Sequence, residues 1–299
     1  MKSFRRLASL LLLCVTLPVL ALGENVVTSF YPIWLLALNL AEGIPDLQVR
    51  NLAAPDTGCL HDYQLQTGDM KVLSEADLFL VNGAGMESYL DHVFSAFPDL
   101  PVAQASDGIP LLQEADALQI GEAEDEGVPN AHIWLSAANA ARMAENLAAA
   151  MAQRFPAHQE RIARNLEGVR DRLSRLDEEL KTGLSGLSRH EIITFHEAFP
   201  YFAQAYGLKV VAVVNREPGE TLSPSQLAEL TEVIRALGLP PLFVEPQYED
   251  LSARTLAAET GAPVYTLDPV VTGPQDHVPL DYYETVMRRN MAVLQEALR

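Results

Sequence analysis

Residues 156–187, PAHQERIARNLEGVRDRLSRLDEELKTGLSGL, decide the architecture. Their apolar positions Ile162, Leu166, Val169, Leu173, Leu176 and Leu180 step alternately by four and three, forming one stripe along a long helix. A coiled coil would use the same spacing, but the stretch is short for one and Gly168 interrupts it. The spacing therefore predicts a single rigid helix, laid against what precedes and follows it. Such a connector leaves less hinge freedom than a pair of extended linkers.

On both sides of this helix, strand-like and helix-like segments alternate. Asn25–Phe30, Val49–Ala53 and Leu78–Val81 are short apolar runs ending in turn chemistry. Tyr31–Ala41 and Leu65–Ala76 between them have helical spacing. A second series follows: Ile192–Phe195, Val210–Val214, Leu242–Glu245 and Val264–Leu267, with helical patterns over Ser223–Leu237, Leu251–Thr260 and Asp281–Leu298. Alternation of this kind implies parallel sheets with helices on their faces. The expected fold is α/β: an N-terminal lobe over 24–155, the connecting helix over 156–187 and a C-terminal lobe over 188–299. Leu112–Pro129 shows no periodicity and is acidic, so it reads as a solvated, mobile loop.

The first 23 residues read as an export signal and not as part of the fold. Basic Met1–Arg6 precedes the apolar run Leu7–Leu22, and Ala21-Leu22-Gly23 puts small residues at the −3 and −1 positions of a cleavage site. Pro18 breaks the run, which is shorter than the ~20 residues of a membrane-spanning helix. Leu13 before Cys14 argues against a lipid attachment site. The expected product is periplasmic, soluble and monomeric. Only Cys59 survives such cleavage, so no intramolecular disulfide is expected. With 21 basic against 40 acidic residues the chain carries −19, which excludes nucleic acid as a partner and leaves small cations as a natural one.

Four residues stand where an open α/β sheet gathers its ligands, at the ends of strands. His61 lies in Gly58-Cys-Leu-His-Asp-Tyr63, His132 in Pro129-Asn-Ala-His-Ile-Trp134, His196 at the end of Ile192–Phe195, and Asp268 in Tyr265-Thr-Leu-Asp-Pro269. Two come from each lobe. Three neutral imidazoles and one carboxylate form a four-coordinate set suited to a borderline divalent ion such as Zn²⁺. Cys59 either packs as a small thiol or, two residues from His61 on an extended segment, faces the same ion. Glu245 is a reserve carboxylate, and His277 a loop residue that could cover the cleft. His92, His158 and His190 read as surface residues, and Trp34 and Trp134 as core.

The wording around these positions resembles the metal-binding substrate-binding proteins that serve zinc and manganese ABC importers. The resemblance is carried by Thr28-Ser-Phe-Tyr-Pro-Ile33, Cys59-Leu-His-Asp-Tyr63, Asp77-Leu-Phe-Leu-Val-Asn-Gly83, His132-Ile-Trp-Leu135, Thr194-Phe-His-Glu-Ala198 with Tyr206-Gly-Leu-Lys209, and Val264-Tyr-Thr-Leu-Asp-Pro269. It implies two α/β lobes with the metal between them, His61, His132 and His196 as imidazole ligands, Asp268 as carboxylate ligand, and delivery to a membrane ABC permease. Zinc is the expected ion, with manganese or iron as alternatives. The chain departs from the family pattern in three places. Leu60 replaces the usual proline before the first histidine, Ser136-Ala137 replaces Asp-Pro, and the acidic segment lacks the histidines of many zinc members.

Several enzyme readings fail at the motif level. Pro200 occupies the place of the second histidine of a zincin helix, Ser88 that of the third glycine of a dinucleotide fingerprint, and there is no nucleophile elbow or P-loop. Two alternatives stay open on sequence: a zinc-dependent hydrolase that keeps one coordination position for water, and a receptor for a metal–chelate complex.

Overall fold

The structure, a computed structural model, describes residues 23–60, 63–113, 118–119, 129–214, 223–248 and 251–299. The export signal up to residue 22, His61 and most of the acidic segment lie outside the described residues. The first lobe contains β1 (Glu24–Thr28), α1 (Tyr31–Leu40), β2 (Leu47–Asn51), α2 (Thr67–Ser74), β3 (Leu78–Val81), α3 (Leu90–Ala96) and β4 (Val102–Gln104). Its sheet has the order β2-β1-β3-β4, with every pairing parallel. All four residues of β3 are buried, which explains its unbroken apolar sequence, since helices cover both faces of a parallel sheet.

After β5 (Leu118–Gln119) come α4 (Ala137–Arg154) and the long α5 (Gln159–Leu184). The second lobe then runs β6 (Glu191–Thr194), α6 (Pro200–Tyr206), β7 (Lys209–Val213), α7 (Pro224–Ala236), β8 (Leu242–Val244), α8 (Leu251–Thr260), β9 (Val264–Thr266) and α9 (Tyr282–Ala297). Its sheet is parallel in the order β5-β7-β6-β8-β9. The edge strand β5 comes from within the segment expected to be a solvated loop, and it joins the sheet of the other lobe. Two residues are too few to show a periodicity, and their partner β7 is remote in sequence. β4 escaped notice for the same reason of length.

Within the stretch that decides the architecture, Pro156–His158 forms a 3-10 turn and α5 covers 26 residues after it. The predicted stripe is buried at Ile162, Val169, Leu173, Leu176 and Leu180, with Leu184 extending it and Leu166 half-buried. This face packs on α4 and α1 of the first lobe and on α9 and α6 of the second. One continuous apolar core consequently runs from Val26 and Phe79 through Leu173 to Phe202 and Met287. A smaller core around Ile193, Leu230, Leu242 and Leu256 fills the far side of the second sheet. The lobes share most of their packing, so the connector behaves as part of both.

Polar contacts reinforce the junction. Arg172 of α5 donates from Nε to Glu284 Oε1 of α9 at 2.9 Å and also reaches Asn39 Oδ1 of α1. Asn39 in turn donates to Leu280 O at 3.0 Å. The Glu284 side chain is buried and the Arg172 side chain one-third exposed. At the end of β3, Glu87 is buried and accepts the backbone N–H groups of Asn82 (2.7 Å) and Gly83 (3.0 Å). Gly83 has a φ of +76°, and a Cβ there would collide with Ser106 and Gln104. That explains a glycine which belongs to no dinucleotide fingerprint. Asn82 Nδ2 donates to Ala131 O at 3.0 Å, tying this turn to the segment that carries His132.

Two stability predictions follow from these groups. Replacing Arg172 with Met strands the buried Glu284 charge, and urea unfolding should show a loss toward the lower end of the ~3–5 kcal/mol typical of a broken buried pair, because Arg172 is partly solvated. Burial pushes the Glu87 carboxyl up to about 7, against which its backbone donors pull down. The folded state thus holds the Glu87 proton more tightly than the unfolded chain does. The resulting stabilisation is complete below the unfolded value near 4.5 and disappears as pH rises through 7. Urea midpoints should therefore fall between pH 5 and pH 8 more in the wild type than in Glu87→Gln. Equal slopes in the two proteins would contradict the assignment.

Candidate metal centre

The loops that follow β2, β6 and β9 meet the segment entering α4 in the cleft between the two sheets. His132 immediately precedes the 3-10 turn Ile133–Leu135, whose three residues are all buried. Ser136 then caps α4, its hydroxyl accepting the Asn139 N–H at 3.4 Å. The departure at Ser136-Ala137 thus places a residue type favoured at helix N-termini at this junction. His196 lies two residues past the end of β6, and Cys59 lies in the loop leaving β2.

These three side chains converge. His132 Nε2 and His196 Nε2 are 3.1 Å apart, with the rings edge to face at a centroid distance of 4.9 Å. Both imidazoles are buried, at 2% and 4% exposure. Cys59 Sγ is 3.4 Å from His132 Nε2, and the ligand atoms of all three residues lie within 4.8 Å of one another. Among the described residues this is the one grouping of three or more such side chains with that closeness. Cys59 is half-buried and takes part in no disulfide. Cys59 also packs against the apolar core, as a small thiol would.

The orientation of His132 is set by Asn130, a residue the sequence reading passed over. Asn130 Nδ2 donates to Glu197 O at 2.8 Å, which turns Oδ1 toward His132. That oxygen accepts the His132 backbone N–H at 3.0 Å and lies 3.3 Å from His132 Nδ1. The ring proton therefore sits on Nδ1, and Nε2 presents its lone pair to Cys59 and His196. Tyr201 completes the support, donating to Asn130 O and accepting Leu112 N–H, both at 2.9 Å. The available signal was an asparagine two residues before a histidine, a spacing that lets one amide serve backbone and ring together.

Of the residues expected at the site, His132 and His196 are brought together. His61 lies outside the described residues. Asp268 stands two residues past the end of β9, half-buried, its backbone clamped by Asn290, which accepts Asp268 N–H at 2.9 Å and donates to Asp268 O at 2.7 Å. Its Oδ1 accepts the Val270 N–H at 2.8 Å, and it is not among the three groups within 4.8 Å of one another. Desolvation raises its carboxyl above the usual aspartate range.

Glu245, at the end of β8, is buried, and burial pushes its carboxyl up to about 8 while the Asp268 charge adds to the effect. Gln247 donates to its Oε2 at 2.6 Å, and Oε1 has no hydrogen-bond partner among the described residues. His277 lies in an exposed loop at a φ of +53°. His92 is exposed, and His158 and His190 contact Glu24 and Gly207, away from the cleft.

The lobes also touch near the cleft through Trp134 and through Gly58. Trp134 is fully buried, as expected, and its Nε1 also donates to Pro269 O at 2.7 Å, next to Asp268. Across the opening, the Tyr248 hydroxyl lies against Gly58. A Cβ on Gly58, whose φ is +85°, would meet that hydroxyl at 2.9 Å. The loop that carries Cys59 is therefore braced by the second lobe.

Known proteins match nearly the whole chain. The iron-binding protein YfeA of Yersinia pestis is 31% identical over 240 residues, spanning 80% of this chain and 74% of its own. The manganese ABC transporter substrate-binding lipoprotein PsaA of Streptococcus mitis is 27% identical over 241 residues, spanning 80% and 78%. The structure of FpvC from Pseudomonas aeruginosa in complex with Mn²⁺ superimposes with a TM-score of 0.81 over 92% of this chain and 98% of that one. At its 24% identity, that likeness speaks to the fold. Residues 26–297 match the family model described as zinc-uptake complex component A, periplasmic, and the chain belongs to that family.

Proposed function

We propose that this protein is a periplasmic receptor that takes up one divalent transition-metal ion, zinc in preference to manganese or iron, between its lobes and delivers it to a membrane ABC permease. The observation that carries the reading is the buried pair of Nε2 atoms 3.1 Å apart, contributed by His132 and His196 from opposite lobes, in a chain of this family. The reading gives the ion four ligands: His61, His132, His196 and Asp268. On export the signal over residues 1–23 is removed. The lobes over 24–155 and 188–299 then act with the connecting helix over 156–187 as one monomeric unit.

The chemistry follows from the donors. Neutral imidazoles bind a borderline ion through nitrogen lone pairs, and Asp268 supplies the negative charge that partly neutralises a dication. Asn130 fixes the His132 tautomer before any ion arrives, so little reorganisation is needed on capture. Release cannot use a wide separation of the lobes, because α5 and the shared core hold them together. The permease must instead move a ligand-bearing loop, and the one after β2 is the natural choice, since its braces from the second lobe are the Tyr248 hydroxyl against Gly58 and the Gly273 N–H donated to Pro55 O at 3.3 Å.

Elemental analysis and competitive titration of the purified protein test this reading. One zinc per chain is expected, lost in His132→Ala and in His196→Ala. Asn130→Ala should retain binding but weaken it by about 10–100-fold, as is usual when a ligand's orienting partner is removed. Protons compete with the ion for the imidazoles, so affinity should fall as pH drops through about 6.5. Absence of stoichiometric metal from the wild type under every titration condition would sink the proposal.

A further inference from the structure

The metal cluster contains a donor that the four-ligand set leaves out. Zinc binds imidazole nitrogen at about 2.0–2.1 Å and thiolate sulfur at about 2.3 Å, so a tetrahedral site has edges of about 3.3 Å between two nitrogens and about 3.5 Å between sulfur and nitrogen. The observed separations are 3.1 Å for His132 Nε2 to His196 Nε2 and 3.4 Å for Cys59 Sγ to His132 Nε2. Two edges of the polyhedron are therefore already near their metal-bound lengths. The third, from Cys59 to His196, is within 4.8 Å and is the one that an ion would draw in.

From this geometry we infer that Cys59 is a thiolate ligand to the transported ion and the residue that sets its selectivity for a soft or borderline metal. The inference rests on the receptor reading and deepens it. With Cys59 as a ligand, a four-coordinate ion keeps His132 and His196 and needs only one of His61 and Asp268, in place of both. Binding breaks the Cys59 S–H bond, forms the sulfur–metal bond and passes the proton to solvent, with no change of oxidation state. Sulfur favours Zn²⁺ over Mn²⁺, which is better served by carboxylate, carbonyl and water oxygens.

The loop geometry suits the role. Cys59 follows Gly58, whose left-handed φ of +85° turns the chain at that point, with the Tyr248 hydroxyl where any Cβ would project. Leu60, which replaces the family's proline, is fully buried and anchors the loop from below. The thiol is thereby held against the imidazoles from both sides of its own backbone.

Co²⁺ serves as a spectroscopic stand-in for zinc in the full chain. A near-ultraviolet sulfur-to-cobalt charge-transfer band is expected in the wild type and in Cys14→Ser, in which Cys59 is the sole thiol. The band should vanish in Cys59→Ser while cobalt remains bound. In competition, the preference for Zn²⁺ over Mn²⁺ should drop in Cys59→Ser by at least about tenfold, the lower limit seen when even a supporting group of a metal site is lost. Stoichiometric cobalt binding by Cys14→Ser without the band overturns the thiolate assignment and leaves the receptor standing. This holds whether or not Cys59→Ser folds. No stoichiometric binding of cobalt or zinc by the wild type overturns both.

Discussion

Burial of one face of α5 is the constraint on which the rest of the molecule depends. A helix of 26 residues with a single apolar stripe has to cover that stripe along its whole length, and neither lobe alone is long enough to do so. α1 and α4 cover it from one side and α6 and α9 from the other, which brings the two sheets to a fixed separation. Each fully buried leucine on the stripe contributes about 1.5–3 kcal/mol, so the arrangement is maintained by many similar terms. The cleft is the gap left where the strand ends of both sheets face each other beside this helix. Its imidazoles can be 3.1 Å apart because the helix packs against both lobes that carry them.

Much of this architecture is readable in the sequence where periodicity is long or burial two-sided. The stripe from Ile162 to Leu180, the run Leu78–Val81 and the helix Leu251–Thr260 appear where their patterns put them. What escapes is what depends on pairing with something distant. β5 has two residues and becomes a strand only by lying next to β7, and β4 has three. The site divides in the same way. His196 is legible from its position just past a strand, whereas His132 is preceded by no described strand and is legible only from its place before a helix. Asn130 and Tyr201 are not, because their roles exist only in hydrogen bonds to residues of the opposite lobe, Glu197 and Leu112 among them. Cys59 is intermediate. Its spacing from His61 hints at a shared ion, whereas its proximity to His132 is a fact of the fold.

The electrostatics of the cleft run against those of the surface. The chain as a whole is strongly acidic, which draws cations toward it from solution, but Glu245 and Asp268, at strand ends of the second lobe, are desolvated and pushed toward their neutral forms. Glu245 is the extreme case, buried with one oxygen lacking a partner among the described residues. Buried acids of this kind store an unmet demand for positive charge beside a pair of neutral imidazoles. Long-range attraction and close-range coordination are thus assigned to different groups of residues.

The placement of β5 has a consequence for how the protein could be divided or assembled. The second sheet takes its edge strand from a segment that precedes α4 and α5, so the chain crosses between lobes three times, not once. A fragment beginning at the connecting helix would leave β7 with a bare row of backbone donors and acceptors, an open template for another chain. The two halves are therefore interleaved by topology as well as by packing. The second sheet is completed only by a strand from the N-terminal half, so a cut at the connecting helix does not fall between two self-contained sheets.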